Sequence, residues 1–235
     1  MTVIHYFTGS GHSFAVAKKL SQLVGCETRE ITGEEQPAAE ETVSVVVFPV
    51  YCQNIPTPVK NFLKTIAADH VALIATYGQV SYGNVLYEAQ RLVRGTVIAG
   101  ACIPTGHTFL DGPPSFPTEP LRAIAERIHA PKEATIPKTH KNPLSDLFPG
   151  LRSRMGVTIE RTDACNGCGI CEQNCPTGAI RRGKPGRKCI RCLRCVTNCP
   201  RNALRYRNRW ILKIYLNCCH KGDTVLYLSD SNGTP

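Results

Sequence analysis

Apolar and polar positions change period several times along the first 130 residues. Residues 2–7 (TVIHYF) form an apolar-rich run, after which Phe14, Ala17, Leu20 and Leu23 fall at helical intervals within 12–25. The β-branched stretch TVSVVVFPV at 42–50 has the composition of a strand buried on both faces of a parallel sheet. A helix is predicted over 56–68, opened by prolines that suit a first helical turn. A strand at 71–77, a helix through 83–95, a strand at 96–104 and a helix near 118–130 follow. This alternation predicts an α/β unit, a doubly wound parallel sheet of five strands with helices on both faces. Right-handed crossovers leave 2-1-3-4-5 as the favoured strand order. Residues 131–155 are basic and punctuated by prolines, as a connector is. The tail carries two apolar runs, 210–216 and 224–229, that could pair as a hairpin around 218–223.

Between Cys165 and Cys199 the hydrophobic pattern gives way to cysteine. The string C-x2-C-x2-C-x3-C-P occurs twice, so that Cys165, Cys168, Cys171 and Cys175 recur 24 residues later as Cys189, Cys192, Cys195 and Cys199. Three thiolates spaced in this way can hold one cluster, while the fourth, followed by proline, is carried away toward a second. Zinc and disulfides are the competing readings. Structural zinc sites use cysteine pairs and rarely a tandem run of this kind. A disulfide framework suits a small secreted chain, whereas MTVIHYF begins directly as a strand with no leader in view. The cysteine-rich piece is about 50 residues, too few to fold without its metal.

The formal net charge of +10 is unevenly spread. Residues 1–130 carry nine Lys and Arg against eleven Asp and Glu, and residues 131–235 carry nineteen against seven. Each cluster with its four thiolates contributes about −2, which leaves the carboxy-terminal half positive. That excess is expected to meet an acidic redox partner rather than nucleic acid. No apolar run reaches the length of a membrane-spanning helix, and eight thiolate ligands fit a reducing cytoplasm.

The loop after the first strand reads Thr8-Gly9-Ser10-Gly11-His12-Ser13. It lacks the lysine of a nucleotide P-loop and the spacing of a dinucleotide fingerprint. It offers hydroxyls and close-wrapping glycines where a helix begins, so free N–H groups can hold a phosphate without a cationic side chain. An ordinary helix cap is the competing reading. Residues 49–56 and 75–83 fall at carboxyl ends of strands, where such a sheet puts its ligand. The Pro- and Gly-rich stretch 106–120 is expected to cover that ligand or meet a partner, with His107 and Asp111 as proton donors or as solvated residues. Cys26 and Cys102 read as core. Cys52 reads as an apolar filler or a redox group, and Cys218, Cys219 and His220 lack complementary metal ligands.

FTGSGHSFAVAKKL (7–20) resembles the FMN-phosphate loop of the flavodoxins and the helix behind it. It departs from them in His5, at a strand position that is usually apolar, and in Ser13, where threonine is typical. PVYCQNIP (49–56) and ATYGQVSYG (75–83) resemble the isoalloxazine loops of the same family. The resemblance implies FMN held at its phosphate by Thr8, Gly9, Ser10, Gly11, His12 and Ser13. Around the ring it implies Pro49, Val50, Tyr51, Cys52, Thr76, Tyr77, Gly78 and Gln79, with Tyr51 and Tyr77 stacking and Tyr82 as the alternative. The cysteine repeat resembles the bacterial two-cluster ferredoxins, which implies crossed ligation of two [4Fe–4S] clusters. Cys165, Cys168, Cys171 and Cys199 would hold one, and Cys189, Cys192, Cys195 and Cys175 the other.

Residues 1–207 together resemble the flavodoxin–ferredoxin fusion proteins. The implied layout is an FMN domain at 1–131, a linker at 132–157, a small α+β two-cluster ferredoxin-like domain at 158–207 and a tail at 208–235. No nucleophile–base set or catalytic carboxylate pair is evident, so no catalytic residue is assigned and the cofactors carry the chemistry. Electron transfer is the expected function. The alternatives are an FMN-dependent reductase of a small molecule fed through the clusters, and a basic metalloregulatory or nucleic-acid-binding protein.

Overall fold

The computed structural model describes residues 1–33, 41–110, 112–147, 154–217 and 222–228, without the side chain of Tyr215. Asp111, Cys218, Cys219 and His220, singled out above, lie outside the described residues. The chain divides into two compact units, residues 1–142 with 221–235, and residues 143–220.

The first unit is built on β1 (Thr2–Tyr6), β2 (Glu27–Glu30), β3 (Val43–Pro49), β4 (His70–Tyr77) and β5 (Thr96–Pro104). These pair in parallel in the expected order 2-1-3-4-5. Val43–Phe48 are buried without exception, because helices cover both faces of the sheet. On one face lie α1 (His12–Val24) and the helix Glu119–His129, which bury Val16, Ala17 and Leu20, and Leu121, Ile124 and Ile128, against Ile4, Val45, Val47 and Ile74. Gly25 ends α1 at φ 74°, donating its N–H to the Ser21 carbonyl at 2.8 Å, a left-handed cap that glycine enters without a Cβ penalty. On the other face Phe62 of α2 (Thr57–Leu63) touches the ring of His5, centroids 4.7 Å apart.

His5 is thereby explained. Its Nε2 lies 3.1 and 3.0 Å from the two oxygens of Glu41, itself buried. Burial lowers the pKa of His5 in spite of that carboxylate, so the neutral imidazole donates Nε2–H to Glu41.

Two features depart from the expected layout. Residues 131–142 are no free connector: the Ala134 N–H bonds the Val97 carbonyl at 2.8 Å, Ile136 is buried, and the Thr139 N–H bonds Asn84 Oδ1 at 2.8 Å. The tail does not form a hairpin either. Residues 210–217 are helical, whereas β10 (Val225–Tyr227) joins the sheet antiparallel to β5, with Val225 opposite Cys102 and Tyr227 opposite Gly100. Its approach depends on Gly222, where a Cβ would lie 2.6 Å from Tyr77 Oη. Gly222→Val should therefore detach β10 and lower stability by about 1–3 kcal/mol, the usual range for overpacking. Urea unfolding with carboxy-terminal proteolysis would read this, and unchanged protection of the tail would count against it.

In the second unit β6 (Val157–Arg161) pairs antiparallel with β9 (Leu204–Asn208), and β7 (Ile180–Arg181) with β8 (Lys184–Pro185). Its apolar core is small, with Val157, Ile159, Ile180, Ile190, Leu193 and Leu204 among its buried residues. Among the described residues no helix is long and apolar enough to cross a membrane.

Candidate functional site

In the first unit, four loops converge at the carboxyl edge of the parallel sheet. Gly11 stands at φ 91° as the N-cap of α1 with no side-chain cap and no acidic residue in the first turn, so the positive end of the helix stays open. The Gly11 N–H bonds Thr8 Oγ1 at 3.0 Å, closing the loop on itself. A Cβ built on Gly11 meets nothing within 4 Å. Ser13 is buried and bonds Thr76 Oγ1 at 2.8 Å, joining the first loop to the end of β4. The Val50 N–H bonds the Thr76 carbonyl at 2.8 Å, and Tyr51 and Asn54 close a tight turn with backbone bonds of 3.1 and 3.0 Å. Inside that turn Cys52 and Gln53 take φ 51° and 62°, a strained conformation for non-glycine residues that costs roughly 1–3 kcal/mol each. The turn is held from outside: Gln53 Nε2 donates to Ser81 at 2.9 Å, and its Oε1 accepts the Asn142 N–H at 2.7 Å. Gln53 carries no local signal of this role.

The aromatic assignment changes. Tyr77 is only 4% exposed, donates its hydroxyl to the Asp223 carbonyl at 2.6 Å, and meets Tyr82 edge-on at 5.3 Å. Its ring is committed to the segment entering β10, which no local pattern announces, and it offers no free face for stacking. Tyr51 and Tyr82 are the half-buried aromatics of the two loops. Gln79 sits at φ 63°, and Gly78 packs under His107, whose Cδ2 would lie 2.4 Å from a Cβ there.

The fourth loop follows β5. Ser10 Oγ lies 3.0 Å from His12 Nδ1 and 3.1 Å from Thr108 Oγ1, so the first and fourth loops are tied together. His107 Nδ1 accepts the Phe109 N–H at 3.3 Å, which puts the imidazole proton on Nε2. Burial, and then the charge of His12, hold His107 down to about 4. His12 and His5 are also lowered, chiefly by burial. With folded values below the ordinary 6.5, protons bind the unfolded chain first. The stability these histidines contribute is complete above that pH and declines as the pH falls toward 4. For His107 alone the loss is at most about 3 kcal/mol. The urea midpoint should fall with pH across this window, and His107→Asn should flatten the fall. An unchanged slope in the variant would contradict the assignment.

In the second unit the cysteine repeat is also a backbone repeat. Gly169 and Leu193, 24 residues apart, cap the short helices Ile170–Gln173 and Arg194–Thr197 at φ 78° and 64°. Gly167 and Arg191 share positive φ, 76° and 55°, as do Gly178 and Asn202, 56° and 48°. The Ala179 N–H reaches Cys175 Sγ at 3.2 Å, and the Ala203 N–H reaches Cys199 Sγ at 3.3 Å. Both loops are thus wound to turn N–H groups toward sulfur, which suits thiolates carrying negative charge.

No described cysteine takes part in a disulfide. Burial raises Cys192 to about 11 against the opposing N–H and charge of Arg194, and raises Cys195 to about 12. On Cys199 burial is the largest single effect and raises the pKa, but the N–H groups of Ala203, Arg201, Leu204 and Asn202 together outweigh it, and the pKa is lowered. The charges of Cys189 and Cys175 act on both Cys192 and Cys195, and that of Cys171 acts on Cys195, so the end of the first motif lies near the second triplet. The donor set is all sulfur, carried on two loops that repeat the same backbone turns, and fits iron–sulfur clusters.

Residues 159–181 and 187–205 match the family described as a 4Fe-4S binding domain, one segment for each cysteine motif. No curated protein matches the chain. Among solved structures it is similar to a protein of Bacteroides uniformis described as a flavoprotein, at 17% identity over 53% of this chain and 97% of that one, TM-score 0.40. It is also similar to one from Bacteroides eggerthii, at 16% identity over 55% and 97%, TM-score 0.40. A Fusobacterium nucleatum flavodoxin bound to flavin mononucleotide is 16% identical over 41% of this chain and 68% of that one, TM-score 0.35.

Proposed function

We propose that this chain is an electron-transfer protein that carries FMN in its first unit and two [4Fe–4S] clusters in its second. The observation that carries the reading is the paired cysteine cradle, in a chain whose parallel sheet ends in an uncapped, hydroxyl-lined helix N-terminus. Cys165, Cys168, Cys171 and Cys199 hold one cluster, and Cys189, Cys192, Cys195 and Cys175 the other. When bound, the clusters supply one-electron chemistry and the flavin one- or two-electron chemistry.

The chain's own residues hold and orient. Thr8, Gly9, Ser10, Gly11, His12 and Ser13 receive the phosphate, through N–H groups and hydroxyls. Pro49, Val50, Tyr51 and Cys52 form one wall for the ring, and Thr76, Gly78 and Gln79 the other, with Tyr82 taking the stacking role first given to Tyr77. His107 presents Nε2–H as a donor in the same loop cluster. That donor favours the second reading, reduction of a small acceptor at the flavin. The basic residues between Arg161 and Arg209 support an acidic redox protein as partner, drawn by long-range attraction.

Anaerobic purification with iron, sulfide and flavin quantification, followed by a spectroelectrochemical titration, tests the reading. The expected result is iron and sulfide for two clusters with one FMN per chain. Zinc in place of iron, or no flavin uptake, would overturn it. Turnover of small acceptors by the reduced protein separates reductase from carrier.

A further inference from the structure

The two cysteine loops share a backbone but not a charge. Where the first loop has Gly167 and Ile170, the second has Arg191 and Arg194. Arg191 occupies a positive-φ position, 55°, which its counterpart fills with glycine. A side chain is kept there against the conformational preference of the backbone. Both guanidinium groups are in the interior, with Arg191 only 8% and Arg194 only 7% exposed. Nε and Nη1 of Arg191 are buried without a hydrogen-bond partner, and no described carboxylate pairs with it. Two acidic groups of this unit are engaged elsewhere, Glu160 with Arg207 at 3.2 Å and Glu172 with Arg181 at 3.6 Å. A buried cation with unfilled donors calls for an anion beside it. Arg191 is flanked by Cys189 and Cys192, and the charge of Arg194 acts on Cys192 directly.

We propose that Arg191, assisted by Arg194, is an internal counter-charge to the cluster held by Cys189, Cys192 and Cys195. It makes the two clusters unequal, the second being the easier to reduce. This rests on the iron–sulfur reading above. A thiolate-bound cluster is already anionic and gains one more negative charge on reduction. Buried guanidinium groups stabilise that added charge far more than solvated ones do, since water and salt screen the latter. The first cluster has only exposed cations near its loop in sequence, such as Arg181, whose side chain is 84% exposed. An electron entering this unit therefore settles at the second cluster, and Arg191 sets the direction of the step between the two.

The test is an EPR-monitored redox titration of the full, cluster-loaded chain, with dithionite supplying one electron per cluster and no bond made or broken. The natural chain is expected to show two couples at least tenfold apart in reduction equilibrium, about 59 mV for one electron. The separation should persist from low to high salt. The double variant Arg191→Gly with Arg194→Ile copies the first loop and relieves the backbone at 191. Its more positive couple should move negative until the two nearly coincide. Arg191→Lys, which keeps the charge, should retain most of the separation. Iron and sulfide counts establish that both clusters are present, so loss of the iron–sulfur reading and loss of this inference are told apart. Couples that coincide in the natural chain, a separation erased by salt, or one untouched in the double variant would each overturn the proposal. Should the double variant lose iron, the natural chain and its salt response decide.

Discussion

Replacing Cys175 by serine is expected to damage the cluster of Cys189, Cys192 and Cys195, although Cys171 is much nearer in sequence. Cys175 closes the first C-x2-C-x2-C-x3-C-P string, and a local reading would give it to the first cluster. The crossed ligation of two-cluster motifs predicts otherwise, and the charge of Cys175 is felt at both Cys192 and Cys195. Its sulfur also accepts the Ala179 N–H at 3.2 Å, as Cys199 accepts that of Ala203. Loss of one ligand in four should lower iron content by as much as about half and leave the second EPR signal altered or absent. Magnetic coupling between the reduced clusters should go with it. A change confined to the cluster of Cys165, Cys168 and Cys171 would show the crossed assignment to be wrong.

Gly11→Val is expected to abolish FMN binding while leaving iron and sulfide unchanged. Two effects act together. Valine is strongly disfavoured at φ 91°, at a cost of roughly 1–2 kcal/mol or more. Its side chain would also fill the space before the α1 N-terminus, where a Cβ now meets nothing within 4 Å. The phosphate needs that space in order to reach the free N–H groups. Together these should weaken FMN by at least about 100-fold, equivalent to about 2.7 kcal/mol. Riboflavin, without the phosphate, should bind the natural chain far more weakly than FMN does. Equal affinities for the two would remove the helix N-terminus from the site.

How much of this was legible beforehand depended on the range of the interaction concerned. The alternation of strands and helices was readable because burial repeats with the period of the backbone: all of Val43–Phe48 is buried, and α1 buries Val16, Ala17 and Leu20 along one stripe. The order 2-1-3-4-5 followed from the handedness of the crossovers. The cysteine repeat was readable because ligand spacing is a local property of the chain, and the matching positive φ values at residues 167 and 191 repeat it in the backbone. The loop from Thr8 to Ser13 was readable as a helix start, with Gly11 at the N-cap, because hydroxyl residues and glycine favour the turn from strand to helix.

Tertiary structure decided what depends on partners distant in sequence. Three residues, Val225–Tyr227, carry no sign that they will pair with Cys102, Ala101 and Gly100 and bring the Asp223 carbonyl onto Tyr77. That capture removed Tyr77 from the stacking role its position suggested. Residues 131–142 looked like a connector because their prolines and charges are those of a surface segment, yet Ala134 and Ile136 are buried in the first unit. His5 stood out in the sequence as a polar residue on a buried strand, and only the fold supplied Glu41 as its partner. Arg191 was one basic residue among twelve between Glu160 and Trp210. Its burial, with donors left open beside two cysteines, appears only when the chain folds around it. Composition counts charges, but packing decides which of them water can no longer screen.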